Sequence, residues 1–316
     1  MAWQRRAPRL VVAYLPAHKV LCAPILALCR GFNAAHLMRI FITGHKGQLG
    51  RALHQAFRDH DLALADLPEA DITNAAQTIQ AIADFRPDLV LHPAALTDTT
   101  ACQRDPDLAY RVNALGTRNV ALGCQQAGAA LLQISTNEVF DGQKTEAYLE
   151  WDATRALSVY AQSKLAGEWY VQRLLQRYYI VRIAWLYGNG PSSFVTKVLQ
   201  WAKANRELRV VADEVATPTY VPDLVTAIAS LVRQPVYGVY HFTNSGSCSR
   251  LQWAQRILAL AGRSDLTVLP ARMADFPSAA PKPAYSVLRN FCGQDLGITL
   301  RPWEDALQGY FRVLGV

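Results

Sequence analysis

Short apolar segments alternate with longer amphipathic segments along most of this 316-residue chain. The short runs are continuously apolar, which is typical of strands that helices cover on both faces. The longer runs repeat their apolar residues at helical spacing. Predicted strands span 40–43, 62–65, 89–91, 130–135 and 179–183, and predicted helices span 49–58, 75–85, 107–127 and 159–178.

This alternation, with its short connections, predicts an α/β fold with a doubly wound parallel sheet of the Rossmann type. We expect a dinucleotide-binding domain over 38–183. The rhythm becomes irregular after residue 184, where glycines and prolines accumulate. Residues 184–316 therefore predict a smaller, mainly substrate-binding lobe, with helices at 194–205, 223–233, 250–262 and 303–314 and with segments near 210–240 returning to the main sheet.

The positive charge of the chain is concentrated in its first 37 residues. Five of the seven net charges lie there, and this segment holds no Asp or Glu. A secretory signal would need one clean apolar region before a cleavage site, and a transit peptide would need serine enrichment. We therefore expect 1–37 to be a basic extension outside the fold, upstream of a natural start at Met38.

Composition excludes several classes of function. With 51% hydrophobic and 18% charged residues, the chain is expected to fold. The body beyond residue 37 is nearly neutral, which argues against a nucleic-acid partner. No apolar run reaches the roughly 20 residues that cross a bilayer, so we expect no membrane association. The six cysteines lack metal-ligand spacing, and we expect reduced thiols in a cytoplasmic protein and no metal site.

A glycine-rich loop follows the first predicted strand and opens the first predicted helix. Its glycines, Gly44, Gly47 and Gly50, let the backbone turn sharply and approach a pyrophosphate. The helix N-terminus behind them offers amide donors and a favourable dipole to the anion. We assign the cofactor to Gly44, Gly47 and the loop residues between and after them, Lys46, Gln48 and Leu49.

An acidic residue, Asp66, stands at the end of the second predicted strand. A carboxylate there would bond the adenosine ribose hydroxyls and repel a 2′-phosphate, and the next residue, Leu67, offers no cation to such a phosphate. This slightly favours NAD over NADP. The alternative is a solvated turn residue. Asp71 and Ile72 are weaker candidates to flank the adenine.

A hydroxyl, a phenol and an amine recur in the order that reduction of a ketone needs. Thr136 ends a predicted strand, and Tyr160 and Lys164 lie one turn apart on the following helix. The lysine ammonium is expected to lower the pKa of the phenol from about 10, so that Tyr160 can exchange a proton with a substrate oxygen. Thr136 can fix the same oxygen, while a nicotinamide cofactor supplies the hydride.

The chain resembles the extended short-chain dehydrogenase/reductases, and more closely the dTDP-4-dehydrorhamnose reductases. The matching segments are 43–50 (TGHKGQLG), 71–73 (DIT), 86–88 (RPD), 112–114 (VNA), 134–142 (ISTNEVFDG), 160–168 (YAQSKLAGE), 182–188 (RIAWLYG), 217–220 (TPTY) and 284–288 (AYSVL).

The resemblance implies reduction of the C4 ketone of dTDP-4-dehydro-L-rhamnose to dTDP-L-rhamnose by NADPH or NADH. It implies that Thr136, Tyr160 and Lys164 are the catalytic residues and that Trp185 lies near the sugar. It also implies a cofactor-binding segment, which maps to Ala94, Ala95 and Thr97.

Two segments depart from the reductase pattern. Asn137-Glu138 replaces the Asp-Tyr that reductases commonly carry; Glu138 matches the sugar-nucleotide dehydratases, but Asn137 cannot protonate a leaving hydroxyl as their acid does. Lys282 stands where the family usually has an arginine, which keeps the charge without bidentate phosphate geometry. We expect Asn137 and Lys282 to contact the substrate together with Thr136 and Trp185.

Alternatives stay open at this point. An epimerase or dehydratase of the same superfamily would regenerate a bound cofactor. A nucleotide-binding regulatory subunit, similar to the methionine adenosyltransferase β subunits, would need no proton donor. Some members of the resembled family hold magnesium at a dimer contact, and no residue here is assigned to that role; a homodimer is one of the possible assemblies.

Overall fold

The computed structural model of the protein describes residues 37–190, 193–276 and 280–315. The predicted basic extension, 1–37, lies outside the described residues except for Leu37. The strands are β1 (Arg39–Thr43), β2 (Asp61–Ala65), β3 (Leu89–His92), β4 (Ala130–Thr136), β5 (Tyr178–Ile183), β6 (Leu186–Tyr187), β7 (Glu207–Val211), β8 (Val215–Ala216), β9 (Thr219–Tyr220), β10 (Gly238–His241), β11 (Cys248–Ser249) and β12 (Thr267–Ala271).

The helices alternate with these strands through the first half of the chain. They are α1 (Gln48–Ala56), α2 (Ala75–Phe85), α3 (Thr99–Arg104), α4 (Pro106–Ala109), α5 (Thr117–Ala127), α6 (Val159–Leu174), α7 (Phe194–Ala204), α8 (Val221–Leu231), α9 (Arg250–Leu260), α10 (Phe291–Asp295) and α11 (Trp303–Leu314). Single 3₁₀ turns occupy Asn137–Val139 and Met273–Asp275.

Six strands form one parallel sheet in the order β10-β5-β4-β3-β1-β2. The connection after β1 places β2 on one side of β1, and the connection after β2 places β3 on its other side. Ile42 of β1 therefore pairs with Leu64 of β2 and with Leu91 of β3. The sheet confirms the predicted doubly wound α/β class. Such a reversal of direction opens a crevice beyond the carboxyl ends of the strands, which is where ligands bind in this class of fold.

Successive residues of the strands pack against different helical layers. Ile42 of β1 packs with Leu53 of α1 and Ile228 of α8. Its neighbour Phe41 packs with Ile82 of α2 in a second core, which also contains α5 and α6. Because side chains alternate across a strand, a strand covered on both faces must be apolar at consecutive positions, and this explains the continuous apolar runs of the sequence.

The predicted helix 107–127 is interrupted by a π-helical stretch. Residues Tyr110–Gly116 form wide turns between α4 and α5 without leaving the helical path. These turns point the Asn113 side chain inward, where its amide holds both backbone groups of Leu96 and the Ser163 hydroxyl. The prediction of helix here is confirmed. The π-helical turns also place Asn113 in a set of buried hydrogen bonds, which the spacing of apolar residues does not reveal.

The predicted helix 159–178 is four residues too long. Its observed counterpart α6 ends at Leu174, because Tyr178 and Tyr179 pair with Leu131 and Leu132 in the sheet. Tyrosine is compatible with both helix and strand, and these two tyrosines join β5 because the neighbouring strand β4 offers backbone hydrogen bonds.

The second half of the chain builds a smaller unit beside the sheet. The strand pairs are β6 with β9, β7 with β12, and β8 with β11, and helices α7, α9 and α11 enclose an aromatic core that includes Tyr187, Trp253 and Tyr310. The chain also returns to the main sheet, since β10 pairs with β5 and α8 packs on the sheet core.

Buried His92 links β1, β3 and α5 in a defined tautomer. The Thr117 hydroxyl donates to the Asn113 carbonyl at 2.7 Å, so its oxygen accepts from His92 Nε2 at 3.1 Å. His92 Nδ1 then accepts from the Thr43 hydroxyl at 2.7 Å. Burial, helped by the nearby Lys164 charge, lowers the pKa of His92 to about 3. The imidazole is therefore a neutral structural bridge.

His241 at the end of β10 is neutral for similar reasons. Its Nδ1 donates to the Tyr148 carbonyl at 3.2 Å, and its Nε2 accepts from Arg182 at 3.4 Å. Burial and the charge of Arg182 lower its pKa to about 3. Two completely buried histidines therefore stay unprotonated in the folded protein.

We expect acid to destabilise the protein through these two histidines. Their folded-state pKa of about 3 lies below the unfolded value of about 6.5, so the unfolded chain binds more protons between these values. The free energy of unfolding therefore falls as the pH drops below about 6.5, by up to about 1.4 kcal/mol per pH unit for each histidine. Urea denaturation between about pH 7 and pH 5 measures this dependence.

The substitution His92→Gln isolates one of the two groups. It lowers the free energy of unfolding at neutral pH, because the hydroxyls of Thr43 and Thr117 lose a fitted partner. It also makes that free energy less steep in pH than in the parent protein. Parallel pH curves for the variant and the parent would contradict the neutral assignment of His92.

Candidate active site

A cavity of about 590 Å³ opens at the carboxyl ends of β1, β3 and β4, where the strand order reverses. It collects fifteen of the predicted site residues, which come from both halves of the chain. They are Gly44, Gly47, Gln48, Leu49, Asp66, Asp71, Ile72, Ala94, Ala95, Thr97, Thr136, Asn137, Tyr160, Lys164 and Trp185. Two predicted site residues, Lys46 and Lys282, do not line this cavity.

The glycine loop forms one wall of the cavity by close backbone contact. Gly44 has a φ of +60°, and a Cβ added to it would lie 2.8 Å from the Cα of Ala94. A Cβ at Gly50 would lie 2.1 Å from the Gly44 carbonyl oxygen. Only glycine fits these positions, and the result is a backbone cradle at the N-terminus of α1. The side-chain nitrogen Nε2 of Gln48, which lines the same cavity, is buried without a hydrogen-bond partner among the described residues.

Asp66 is held by the backbone at the far end of the cavity. One carboxylate oxygen accepts from the Lys46 amide at 2.7 Å, and the other accepts from the Leu67 amide at 2.8 Å. The Lys46 ammonium lies just outside this end, where it donates to the Leu67 carbonyl and to Glu69, both at 2.7 Å. A cation therefore stands beside the acid, although Leu67, the residue that follows Asp66 in the sequence, is uncharged.

Helix α6 presents three polar side chains on one face at four-residue spacing: Tyr160, Lys164 and Glu168. Ser158 caps the helix by accepting from the Ala161 amide, so Tyr160 lies in its first turn. The buried Lys164 ammonium donates to the Ile134 carbonyl of β4 at 2.7 Å. Burial lowers its pKa to about 8, and the nearby carboxylate of Glu168 opposes this shift.

The expectation of a lowered phenol pKa at Tyr160 is wrong. Burial raises the pKa of Tyr160 above its ordinary value, and the neighbouring Glu138 carboxylate adds to the increase, while a hydrogen bond with Thr136 opposes it. The ammonium of Lys164 is directed at a strand carbonyl and does not reverse this balance. The phenol is therefore neutral and carries the proton that a general acid must donate.

A buried ion pair fixes the lower part of the same helix face. Arg182 of β5 donates two hydrogen bonds to Glu168, with N···O distances of 3.0 and 2.7 Å. The Ser135 hydroxyl of β4 donates to the same carboxylate. Arg182 also contacts the Glu150 carbonyl at 3.3 Å. All the charges of this network are buried, so each of its members depends on its partners.

Asn137 ties the end of β4 to the C-terminal part of the chain. Its side-chain amide donates to the Ser286 hydroxyl at 2.6 Å. The Thr136 hydroxyl donates to the Asn137 side-chain oxygen at 3.3 Å and accepts from the Glu138 amide at 3.2 Å. Asn137 thus lines the cavity with its amide nitrogen already engaged, which makes it first of all an anchor.

Trp185 lines the first cavity and contacts Arg250, which lines a second one. Its backbone is left-handed, with a φ of +43°, which is uncommon for a bulky residue. Its ring stacks on Trp253, with centroids 5.5 Å apart, and the guanidinium of Arg250 lies 3.6 Å from the ring centroid. Arg250 is also paired with Glu214.

The second cavity, also about 590 Å³, combines cations with aromatic and apolar side chains. Arg250 lines it from the Trp185 side, and Lys282, absent from the first cavity, lines it as well. Its lining is Phe194, Lys197, Trp201, Leu208, Arg209, Val210, Val211, Arg250, Phe276 and Lys282. A cationic and aromatic cleft of this kind suits a ligand that carries phosphates and a planar ring.

Sequence reasoning missed several residues of these sites. Arg250 begins α9 after the Ser249 cap, and a helix-initiating arginine has no feature that distinguishes it from a surface residue. Glu168 repeats the four-residue spacing of Tyr160 and Lys164, a signal that could have been used. Asn113 lies in a segment matched to the resembled family, and only the π-turns show why it faces inward.

Comparisons with known proteins identify the family. The profile described as RmlD substrate binding domain matches residues 38–315. A dTDP-4-dehydrorhamnose reductase of Mycobacterium tuberculosis (strain H37Rv) is 36% identical over 278 residues, which cover 85% of this chain and 91% of that protein. The chain belongs to the dTDP-4-dehydrorhamnose reductase family.

Two further relatives extend the comparison. The spore coat polysaccharide biosynthesis protein SpsK of Bacillus subtilis (strain 168) is 33% identical to this chain. The matched region covers 87% of this chain and 98% of SpsK. The crystal structure of the Bacillus anthracis dTDP-4-dehydrorhamnose reductase in complex with NADP matches with a TM-score of 0.85 and 38% identity, over 88% of this chain and all of that one. Like the other members of its family, the chain is an NAD(P)-dependent oxidoreductase.

Within the described ranges of this reductase-family protein, no helix is long and apolar enough to span a membrane. The same residues contain no group of three or more His, Cys, Asp or Glu side chains placed to hold a metal ion.

The substitution Glu168→Gln tests the buried ion pair. It leaves Arg182 buried without its carboxylate, and we expect the free energy of unfolding to fall by about 3–5 kcal/mol. It also removes the charge that supports the Lys164 ammonium, so the pKa of Lys164 falls further. Urea denaturation measures the first effect. The exposed Glu146→Gln is the matched control and should change stability by less than about 0.5 kcal/mol; an equal effect of both substitutions would rule out the proposed dependence.

Proposed function

We propose that this chain reduces the C4 ketone of dTDP-4-dehydro-L-rhamnose to dTDP-L-rhamnose, with NADPH or NADH as the hydride donor, in the cytoplasm. One observation carries the proposal: Thr136, Tyr160 and Lys164 share a cavity with a glycine cradle at the N-terminus of α1. A proton donor and a dinucleotide site thus open into the same space. The named activity of the relatives gives the class of substrate.

The cavity fits a nicotinamide dinucleotide. The glycine cradle leaves no room for a side chain at Gly44 or Gly50, as close approach of a pyrophosphate to the backbone requires. The unpartnered side-chain amide of Gln48 offers a buried donor to the same cavity. Gly44, Gly47, Gln48 and Leu49 would hold the pyrophosphate, Asp66, Asp71 and Ile72 the adenosine end, and Ala94, Ala95 and Thr97 the middle of the cofactor. When bound, the reduced nicotinamide supplies a hydride.

The residues of the chain bind, orient and protonate the ketone. Tyr160 holds a neutral phenol whose proton passes to the substrate oxygen as that oxygen gains negative charge. Thr136 bonds the same oxygen and fixes its place. The Lys164 ammonium stabilises the phenolate that remains, and because its pKa is about 8, it is largely charged at neutral pH.

The rest of the substrate extends into the second cavity. Trp185 separates the reacting sugar from the nucleotide. The cations Arg250, Lys197 and Lys282 bind the diphosphate by donating charge-assisted hydrogen bonds to it. In this arrangement residues 38–183 bind the cofactor, whereas 184–316 contribute most contacts with the substrate.

The substitution Tyr160→Phe tests the proposed acid. It removes the hydroxyl and keeps the ring, so we expect turnover to fall by about 10²–10⁴-fold while NADPH still binds. Absorbance of NADPH during incubation with dTDP-4-dehydro-L-rhamnose measures turnover, and fluorescence titration measures cofactor binding. Net oxidation of NADPH by the parent protein also separates a reductase from an epimerase, which would regenerate its cofactor. Normal turnover of the variant would exclude Tyr160 as the acid.

The substitution Lys46→Gln tests the choice between cofactors. We propose that the Lys46 ammonium, beside Asp66, bonds the 2′-phosphate of NADPH and thereby offsets the repulsion of that carboxylate. The KM for NADPH should rise about tenfold and the KM for NADH should stay within about twofold. Lys203→Gln, which removes an exposed lysine of α7, is the matched control. Equal changes for both cofactors would contradict a role at the 2′-phosphate.

A further inference from the structure

Glu138 brings a carboxyl group to the reacting end of the first cavity. It lies in the 3₁₀ turn after β4, where its backbone amide donates to the Thr136 hydroxyl and Asn137 is anchored to Ser286. Its side chain lines the same cavity as Tyr160. One carboxyl oxygen is buried and has no hydrogen-bond partner among the described residues. The turn is therefore fixed while the carboxyl group itself is left available.

Charged side chains of both signs act on the pKa of Glu138. Burial raises its pKa; Lys282 and Arg250 counteract this increase, and Glu214 reinforces it. Glu138 also raises the pKa of Tyr160, which shows that the two groups share one electrostatic environment. A carboxylate whose pKa is raised is a stronger base than an exposed one, as proton abstraction from carbon requires.

The other acidic and basic groups that line the first cavity are engaged elsewhere. Asp66 and Asp71 lie at the adenosine end and accept from backbone amides. Lys164 donates to the Ile134 carbonyl. Tyr160 is committed to the ketone oxygen under the proposed function. Among the described lining residues, Glu138 is therefore the carboxylate left to act on the carbon framework of the substrate.

We propose that Glu138 is a second acid–base residue, which removes and returns a proton on a carbon next to the ketone of the bound sugar. This inference rests on the proposed function, because the ketone is the group that makes such a proton acidic. It adds an enolisation activity to the reduction and does not replace it.

The step balances without an oxidant or reductant. The Glu138 carboxylate takes the proton, the C–H bond breaks, and its electron pair forms a carbon–carbon double bond. The carbonyl π electrons move to the oxygen, which receives the Tyr160 proton and gives an enol. The reverse sequence regenerates the ketone with a proton from Glu138. Thr136 and Tyr160 stabilise the developing oxyanion, as they do in the reduction.

Hydrogen exchange in D₂O tests the proposal separately from reduction. The full-length protein is incubated with NADP⁺, which offers no hydride, and with dTDP-4-dehydro-L-rhamnose. NMR follows deuterium at carbons 3 and 5 of the sugar, against an enzyme-free blank. We expect faster exchange than in the blank, and a loss of about 10²-fold or more of this enzyme-dependent exchange in Glu138→Gln. Reduction by NADPH is measured on the same preparations and should fall much less.

Two control variants accompany this exchange measurement. Glu146→Gln, an exposed acid in the same segment, should keep both activities, and Glu138→Asp should recover part of the exchange lost in Glu138→Gln. Reduction without exchange above the blank, or exchange that persists in Glu138→Gln, overturns the inference and leaves the proposed function intact. Absence of both activities in the parent protein overturns both proposals.

Discussion

The buried pairing of Glu168 with Arg182 determines where the face of α6 that carries Tyr160 and Lys164 lies. Ser135 of β4 and Arg182 of β5 hold one carboxylate between two neighbouring strands. Since Glu168, Lys164 and Tyr160 follow one another at four-residue spacing, fixing the lowest side chain fixes the other two against the strand ends. A buried ion pair costs desolvation and is a weak source of net stability, but a misplaced helix would leave both charges unpaired. The pair therefore specifies register.

Burial also determines the electrostatics of the site. It raises the pKa of Tyr160 and lowers that of Lys164, so both neutral forms are favoured relative to water. Considered without the surrounding protein, an ammonium beside a phenol would lower the pKa of the tyrosine. The difference arises because removal from solvent acts on every charge, whereas the attraction between two groups depends on their distance and direction.

Sequence patterns predicted the elements whose causes are local. Continuous apolar runs gave the five strands from β1 to β5, and the loop before α1 predicted a phosphate cradle from glycine alone. Long-range pairing decided the remainder: Tyr178 joined β5 rather than the preceding helix because β4 was beside it. Arg250 entered the site because Trp185 and Glu214, both distant in sequence, surround it. Such contacts have no signature in residue spacing.

Backbone strain and aromatic stacking coexist at Trp185, in the connection between β5 and β6. Its left-handed backbone costs roughly 1–2 kcal/mol for a residue with a side chain, and glycine would adopt it freely. The tryptophan ring repays part of this cost by stacking on Trp253 and under Arg250. Glycine at this position would relieve the backbone strain and would at the same time remove an aromatic wall of the first cavity, so thermal resistance and the shape of that cavity are linked through one residue.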